Sequence, residues 1–309
     1  MSDRDSPIDI AAAAQLACLL EASAPKPGNV SPGINFGDTT YEDFLASAVA
    51  IGVPLGGAGS RPVGATIRLA VQATRRWTNT NTNLGIVLLL APLARAAAVF
   101  LDGSVASARA ICVAPSVLRA SLQTILAETT VDDARDTYAA IRLASPGGLG
   151  SADHQDVSGE PTVTLTDAMR LAADRDGIAR EYATNFQATF ETGMPALVEA
   201  RRAGLDWNDA IVQTYLTLLA AQPDTHITRR AGRALAEDVT RQARKTLDRG
   251  GVLTPDGRAE IARMSASLRD ARNHANPGTT ADITTAAIFV ALLGGARQSR
   301  NGGLDGASR

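Results

Sequence analysis

No stretch of this 309-residue chain alternates apolar and polar residues for more than a few positions, so nothing in it reads as a half-buried β-strand. The longest candidate, residues 157–165, contains Gly159 and Pro161 and is expected to be an extended loop. Apolar residues make up 45% of the chain but aromatics only 4%, the remainder being mostly alanine, leucine, valine and isoleucine. Small side chains let helices approach closely, and alanine and leucine favour helix intrinsically. The expected fold is all-α, a single compact domain of roughly ten to thirteen helices. It is expected to occupy residues 1–297, with 298–309 as a disordered tail of small and polar residues.

Helices are expected near 8–22, 41–51, 61–76, 84–101, 105–128, 131–143, 166–174, 178–192, 195–203, 207–221, 225–249, from 254 onward, and 280–293. Thr39 with Glu42 suggests a capping box, and Thr254-Pro255 an N-cap followed by proline at the first helical position. Pro92 is expected to kink or break one helix and Pro115 to split another. Gly294-Gly295 should end the last.

Several function classes are disfavoured. A net charge of −2 lacks the basic excess of a nucleic-acid binder. Cys18 and Cys112 lie in apolar, alanine-rich surroundings and read as buried free thiols, and three scattered histidines without paired cysteines make a poor zinc site. Residues 84–101 are interrupted by Pro92 and Arg95, leaving too short an apolar run to cross a bilayer. Asp3, Asp5 and Asp9 outweigh Arg4, unlike a secretory leader. A cytoplasmic protein with small-molecule partners is expected, neither nucleic acid nor membrane. Alanine-rich helix faces would also suit a homodimer.

Glycine, proline and polar residues concentrate in five loops, at 25–38, 78–85, 145–161, 222–230 and 276–282. Long irregular loops in a helical protein are more often functional than accidental. Pro25-Lys26-Pro27-Gly28 sets a lysine between two fixed φ angles, either pre-aiming its ammonium or making a rigid helix exit. The run from Thr78 through Asn81-Thr82-Asn83 to Gly85 offers more amide and hydroxyl groups than an N-cap needs, and the helix start behind it could hold phosphate. Asp153 and Asp156 flank His154 in a glycine-rich stretch that could bind Mg²⁺, supply acid and base, or be a solvated turn. His226, Arg229 and Arg230 share a helix face behind Asp224; arginines near a helix start are mildly unfavourable unless they meet an anion. Asp282, behind Asn276-Pro277-Gly278, could equally be dipole compensation.

In order along the chain, Pro25-Lys26-Pro27-Gly28, Asn81-Thr82-Asn83 with Gly85, Asp224-Thr225-His226 with Arg229, and Asn276-Pro277-Gly278 with Ala281-Asp282 resemble the motif set of the triphosphoribosyl-dephospho-CoA synthase family. The resemblance spans about residues 8–295. It implies an all-α enzyme using ATP and Mg²⁺, releasing adenine as a ribosyl triphosphate moves to the ribose hydroxyl of dephospho-CoA. Asp224 and Asp282 would hold Mg²⁺ or stabilise the ribosyl ring, and His226 would move a proton. Lys26, Arg229 and Arg230 would hold the triphosphate, with Gly28, Asn81, Thr82, Asn83, Gly85, Asn276 and Gly278 completing the nucleotide site. Where the family has a histidine and a lysine before its glycine, this chain has Asn83 and Leu84. The 145–157 loop looks like a side-branch elaboration, leaving a tetrahydromethanopterin-type acceptor as an alternative. A non-catalytic nucleotide-binding or assembly protein is a further one.

Overall fold

The computed structural model describes residues 9–103, 112–269 and 273–295, and among these it contains helices and no strand, only one isolated bridge between Ser31 and Ile34. The order is α1 (Ile10–Ser23), α2 (Tyr41–Ala50), α3 (Gly52–Gly56), α4 (Val63–Thr74), α5 (Leu84–Gly103), α6 (Pro115–Ala127), α7 (Val131–Ala144), α8 (Leu165–Ala172), α9 (Gly177–Ala183), α10 (Met194–Arg202), α11 (Trp207–Ala221), α12 (Thr225–Ala231), α13 (Arg233–Asp248), α14 (Pro255–Ser267) and α15 (Gly278–Leu293). The count slightly exceeds expectation because the short α3 lies outside the expected helices and the expected 225–249 helix is split, and the expected 178–192 helix is also interrupted. Gly232, at φ 92°, separates α12 from α13. Asn185 and Phe186 adopt left-handed φ between α9 and a short π-helix, Ala188–Gly193.

Two apolar helices, α5 and α15, form the centre, packed on each other and against α1. A helix buried on nearly all sides must satisfy its own polar side chains. In α15, Thr284 and Thr285 do so by donating to Thr280 O at 2.7 Å and Ala281 O at 3.1 Å. In α5 the problem is Pro92, which cannot donate to the carbonyl of Leu88. Of the expected kink or break, the break does not occur: the helix runs on through Gly103. The buried Tyr182 hydroxyl donates to Leu88 O at 2.6 Å and replaces the missing partner. This continuous helix is also long and apolar enough to cross a membrane, with a mean hydropathy of 2.3 over Leu84–Asp102, but 72% of that window is buried inside the protein.

Smaller differences have local causes. The capping box is Thr40 with Asp43, one residue beyond the expected pair, because Asp43 Oδ2 reaches Thr40 N at 2.8 Å. Thr254 caps α14 with Pro255 at its first position, as expected, accepting from Gly257 N at 3.0 Å. Cys18 is buried, but Cys112 is exposed. The tail expected from 298 and the start of the expected 105–128 helix lie outside the described residues.

Tyr182→Phe should leave Leu88 O without a donor in an apolar setting, lowering the unfolding free energy by about 1–3 kcal/mol. The urea midpoint reads this directly, and an unchanged midpoint would mean the carbonyl finds another partner.

Candidate active site

All five polar loops converge on one cavity of about 410 Å³, lined by residues of each. The loop after α1 supplies Asn29, Val30 and Phe36. The 78–85 loop and the start of α5 supply Asn81, Thr82, Asn83, Leu84, Gly85 and Ile86. The loop between α7 and α8 supplies Pro146, Gly147, Leu149, His154, Gln155 and Val157. His226, Thr228 and Arg229 come from α12, and Asn276, Gly278, Thr279, Ala281 and Asp282 from the approach to α15 and its first turns.

The organising contact is outside the cavity. Asp224, fully buried, caps α12: its Oδ1 accepts from His226 N at 2.8 Å and Ile227 N at 3.1 Å. Its Oδ2 accepts from both the backbone and the hydroxyl of Thr280, each at 2.7 Å. One carboxylate thereby ties the N-termini of α12 and α15. Burial pushes its pKa up and these four bonds oppose the shift. Both oxygens of Asp224 are engaged and it is absent from the lining of this cavity, so the structure places it behind the site as a tie between helices, whereas the sequence suggests a catalytic or metal-binding residue.

His226 is placed by that tie. Its Nδ1 lies 3.1 Å from Asn276 O, and a carbonyl can only accept, so Nδ1 carries the proton and Nε2 is left with a lone pair. Burial first, then the neighbouring Arg229 and Arg230, lowers its pKa to about 4. At neutral pH His226 is therefore an uncharged ring with an acceptor nitrogen. Gly278 permits this: a Cβ there would stand 2.5 Å from Nδ1.

Asp282 lies one turn inside α15, since that helix starts at Gly278, so compensation of the helix end does not account for it. Its carboxylate has no hydrogen bond or ion pair among the described residues. Burial, then the proximity of Glu21, Asp224 and Asp176, raises its pKa well above the usual range, with Arg229 partly opposing. Gly85 makes room for it, because a Cβ at that position would overlap the carboxylate.

Arg229 donates from Nη1 to Asp176 Oδ2 at 3.1 Å, while Asp176 Oδ1 caps α9 through Ile178 N and Ala179 N. The Nε of Arg229 is buried without a partner. Because α12 stops at Ala231, Arg229 and Arg230 occupy its last turn, where cations are favoured, and the expected macrodipole penalty does not arise. Arg230 is exposed and outside the lining.

Lys26 is corrected more sharply. Its ammonium is buried, 3.0 Å from Glu21 Oε1, and donates to Ala24 O at 3.1 Å and to Glu21 O. Neither it nor Gly28 lines the cavity; Gly28, at φ 79°, lets the turn pack on Pro277 and Leu268. The asparagine-threonine run is partly structural: Asn81 Oδ1 accepts from Leu84 N at 3.1 Å, Thr82 bonds Ser47, and Asn83 donates to Thr74 Oγ1 at 3.0 Å. All three still face the cavity. Asp153 is exposed, and Asp156 is occupied by Ala152 N, Ser158 N and Ser158 Oγ, bonds that hold its pKa down to about 2. Asp156 shapes the loop, and neither acid joins Asp224 in a metal cluster among the described residues.

Sequence reasoning missed Glu21, Asn29, Arg175 and Asp176, and the apolar wall of Phe36, Phe44 and α8. Glu21 did carry a signal, being an acid in the last turn of α1, where the helix end disfavours one. Asn29 donates to Asn276 Oδ1 at 2.5 Å while its own Oδ1 is buried without a partner.

The same architecture occurs in a crystal structure from Archaeoglobus fulgidus described as a candidate triphosphoribosyl-dephospho-CoA synthase, at 26% identity and a TM-score of 0.62, covering 83% of this chain and 99% of that one. The chain is similar to a Stutzerimonas stutzeri protein named "Probable 2-(5''-triphosphoribosyl)-3'-dephosphocoenzyme-A synthase", 34% identical over 119 residues, which are 37% of this chain and 39% of that one. A Klebsiella pneumoniae protein named as the same synthase is 32% identical over 117 residues, 38% of each chain. These aligned stretches span about two-fifths of the relatives' length. The family model described as ATP:dephospho-CoA triphosphoribosyl transferase matches residues 7–301, and the chain belongs to that family.

Proposed function

We propose that this chain transfers the triphosphoribosyl group of ATP to a ribose hydroxyl of dephospho-CoA, releasing adenine. The observation that carries this reading is a family cavity holding a neutral histidine with a free acceptor nitrogen and a carboxylate without a partner, His226 and Asp282. The acceptor hydroxyl must lose a proton as it attacks. A neutral imidazole is the appropriate base, so His226 acts on the acceptor and not as an acid toward adenine.

The triphosphate is anionic, and three features of the cavity suit it: the N-terminus of the long helix α5, Arg229, and Arg175. Mg²⁺ also fits the donor set. The cavity's unpartnered side-chain acceptors include the Asp282 carboxylate and Asn29 Oδ1, both hard oxygen donors. Among the described residues no three acids, histidines or cysteines form a metal cage. Mg²⁺ held through one or two carboxylates and substrate phosphates needs none. Asp282 would hold the ion, which supplies charge neutralisation at the triphosphate. The two free cysteines support a cytoplasmic setting.

Purified protein given ATP, Mg²⁺ and dephospho-CoA should release adenine in step with acceptor consumption, followed by chromatography. ATP binding without turnover would sink the reading. His226→Asn should lower kcat by about 10²–10⁴-fold. With the ring pKa at about 4, the rate carried by this base should stay level as pH falls from 7 and drop only near 4. Stability behaves differently. The unfolded ring takes its proton near 6.5 and the folded one only near 4, so falling pH across that window should lower stability, measurable as a falling Tm that His226→Asn removes. Gly85→Ala should cost about 1–3 kcal/mol by overpacking. Because its methyl group meets Asp282, affinity for MgATP should fall with it, as calorimetry would show.

A further inference from the structure

The lysine of the Pro25-Lys26-Pro27-Gly28 turn is used on a carboxylate, and that carboxylate belongs to the cavity. Glu21 is 4% exposed and lines it, while Lys26 is 1% exposed and does not. The lysine's position is fixed from several sides: the flanking prolines restrict the backbone, Ala24 O and Glu21 O accept from its ammonium, and the Tyr215 hydroxyl holds Pro27 O at 2.8 Å. Glu21 Oε1 faces Lys26 at 3.0 Å, and Oε2 accepts no hydrogen bond among the described residues. A buried ion pair adds little stability over a well-packed apolar pair. Stability alone therefore does not explain an acid at the C-terminal end of α1 facing the ligand space.

The other acids nearby are committed. Asp176 is taken by α9 and Arg229, Asp224 ties two helices, and Asp282 is the unpaired carboxylate assigned to the triphosphate's cation. We propose that Glu21 is a further ligand-facing residue, a carboxylate presented to the ribosyl ring of ATP, with Lys26 as the positioning residue that holds it. This rests on the transfer reading above. In that reaction the C1′–N9 bond breaks with its electron pair leaving on adenine, and the acceptor oxygen forms the new C1′–O bond. The acceptor's proton passes to His226 Nε2 and from there to solvent, while N9 of the departing adenine takes a proton from solvent, so the proton count closes. As C1′–N9 lengthens, positive charge builds on the ring, and a fixed carboxylate beside it stabilises the transition state more than bound ATP.

The test uses the full chain and two ring mimics, a protonated iminoribitol and its uncharged isostere 1,4-anhydroribitol, with calorimetric binding. Wild type should prefer the cation by about tenfold or more. Glu21→Gln should abolish the preference with MgATP affinity unchanged, and Lys26→Met should weaken it, with Lys26→Arg restoring part. Because Glu21→Gln strands a buried ammonium, the charge-neutral double variant E21Q/K26M is measured beside it and should lack the preference too. In turnover, Glu21→Gln should lower kcat by about 10²–10³-fold with KM for ATP unchanged. A preference that survives in the double variant, or a wild type without one, overturns the proposal. The two readings fail separately. No adenine release by wild type sinks the transfer while the mimics still report on Glu21, and wild-type turnover by Glu21→Gln sinks the Glu21 assignment alone.

Discussion

Four donors converge on one buried carboxylate, Asp224, and the geometry of the cavity follows from that. Two of the donors are backbone amides at the start of α12 and two belong to Thr280 at the start of α15. No cation is needed, because two helix N-termini provide the positive field. The tie sets His226 two residues along one helix and Asp282 two residues along the other from the anchored positions. Its reach extends further through Thr225, whose Oγ1 meets Thr279 Oγ1 at 3.0 Å and accepts from Gly177 N at 2.9 Å, bringing the start of α9 and its Asp176 to the same place. A single acid thus fixes three elements whose side chains face the ligand space without itself facing it.

The apolar part of the cavity lining is differently built. Phe36, Phe44, Leu165 and Met169 line it, roofed by the 145–157 loop through Leu149 and Val157. That loop has no regular structure, so its backbone polar groups need other partners. Tyr138 donates to Gln155 O at 2.6 Å, Arg142 to Val157 O at 2.6 Å, and the Gln155 side chain pairs with Thr162 in both directions. Gly148, at φ 77°, lets the loop come down onto Arg229. The loop is therefore in contact with Arg229, and the cavity lining combines polar and apolar groups.

Much of this was legible in the sequence, and the limits are physical. Helix periodicity, the Thr254-Pro255 start and the five polar loops are local signals, and the loops do share one cavity. What local signals could not say was which polar groups a fold would consume. Lys26, Asp224 and Asp156 look like ligand-binding residues because they are charged and lie in glycine- or proline-rich turns. Each proves to be taken up by partners within the protein: Lys26 by Glu21, Asp224 by two helix starts and Asp156 by its own turn. Pro92 shows the same limit: the Leu88 carbonyl that it leaves without a donor is satisfied by Tyr182, 94 positions after Leu88, a pairing invisible to any window along the chain.

Charge around the cavity gives the last step. Its lining holds the acids Glu21, Asp176 and Asp282 against the arginines Arg175 and Arg229, while His226 is neutral and Lys26 is spent on Glu21. A triphosphate would meet no net positive surface, and burial together with the nearby acids already holds the Asp282 pKa up. In the proposed reading, a divalent cation entering with the phosphates would offset both the crowding of acids and the lack of net positive charge. The absence of a lysine at Leu84, before Gly85, then fits a site that takes up part of its positive charge together with its substrate.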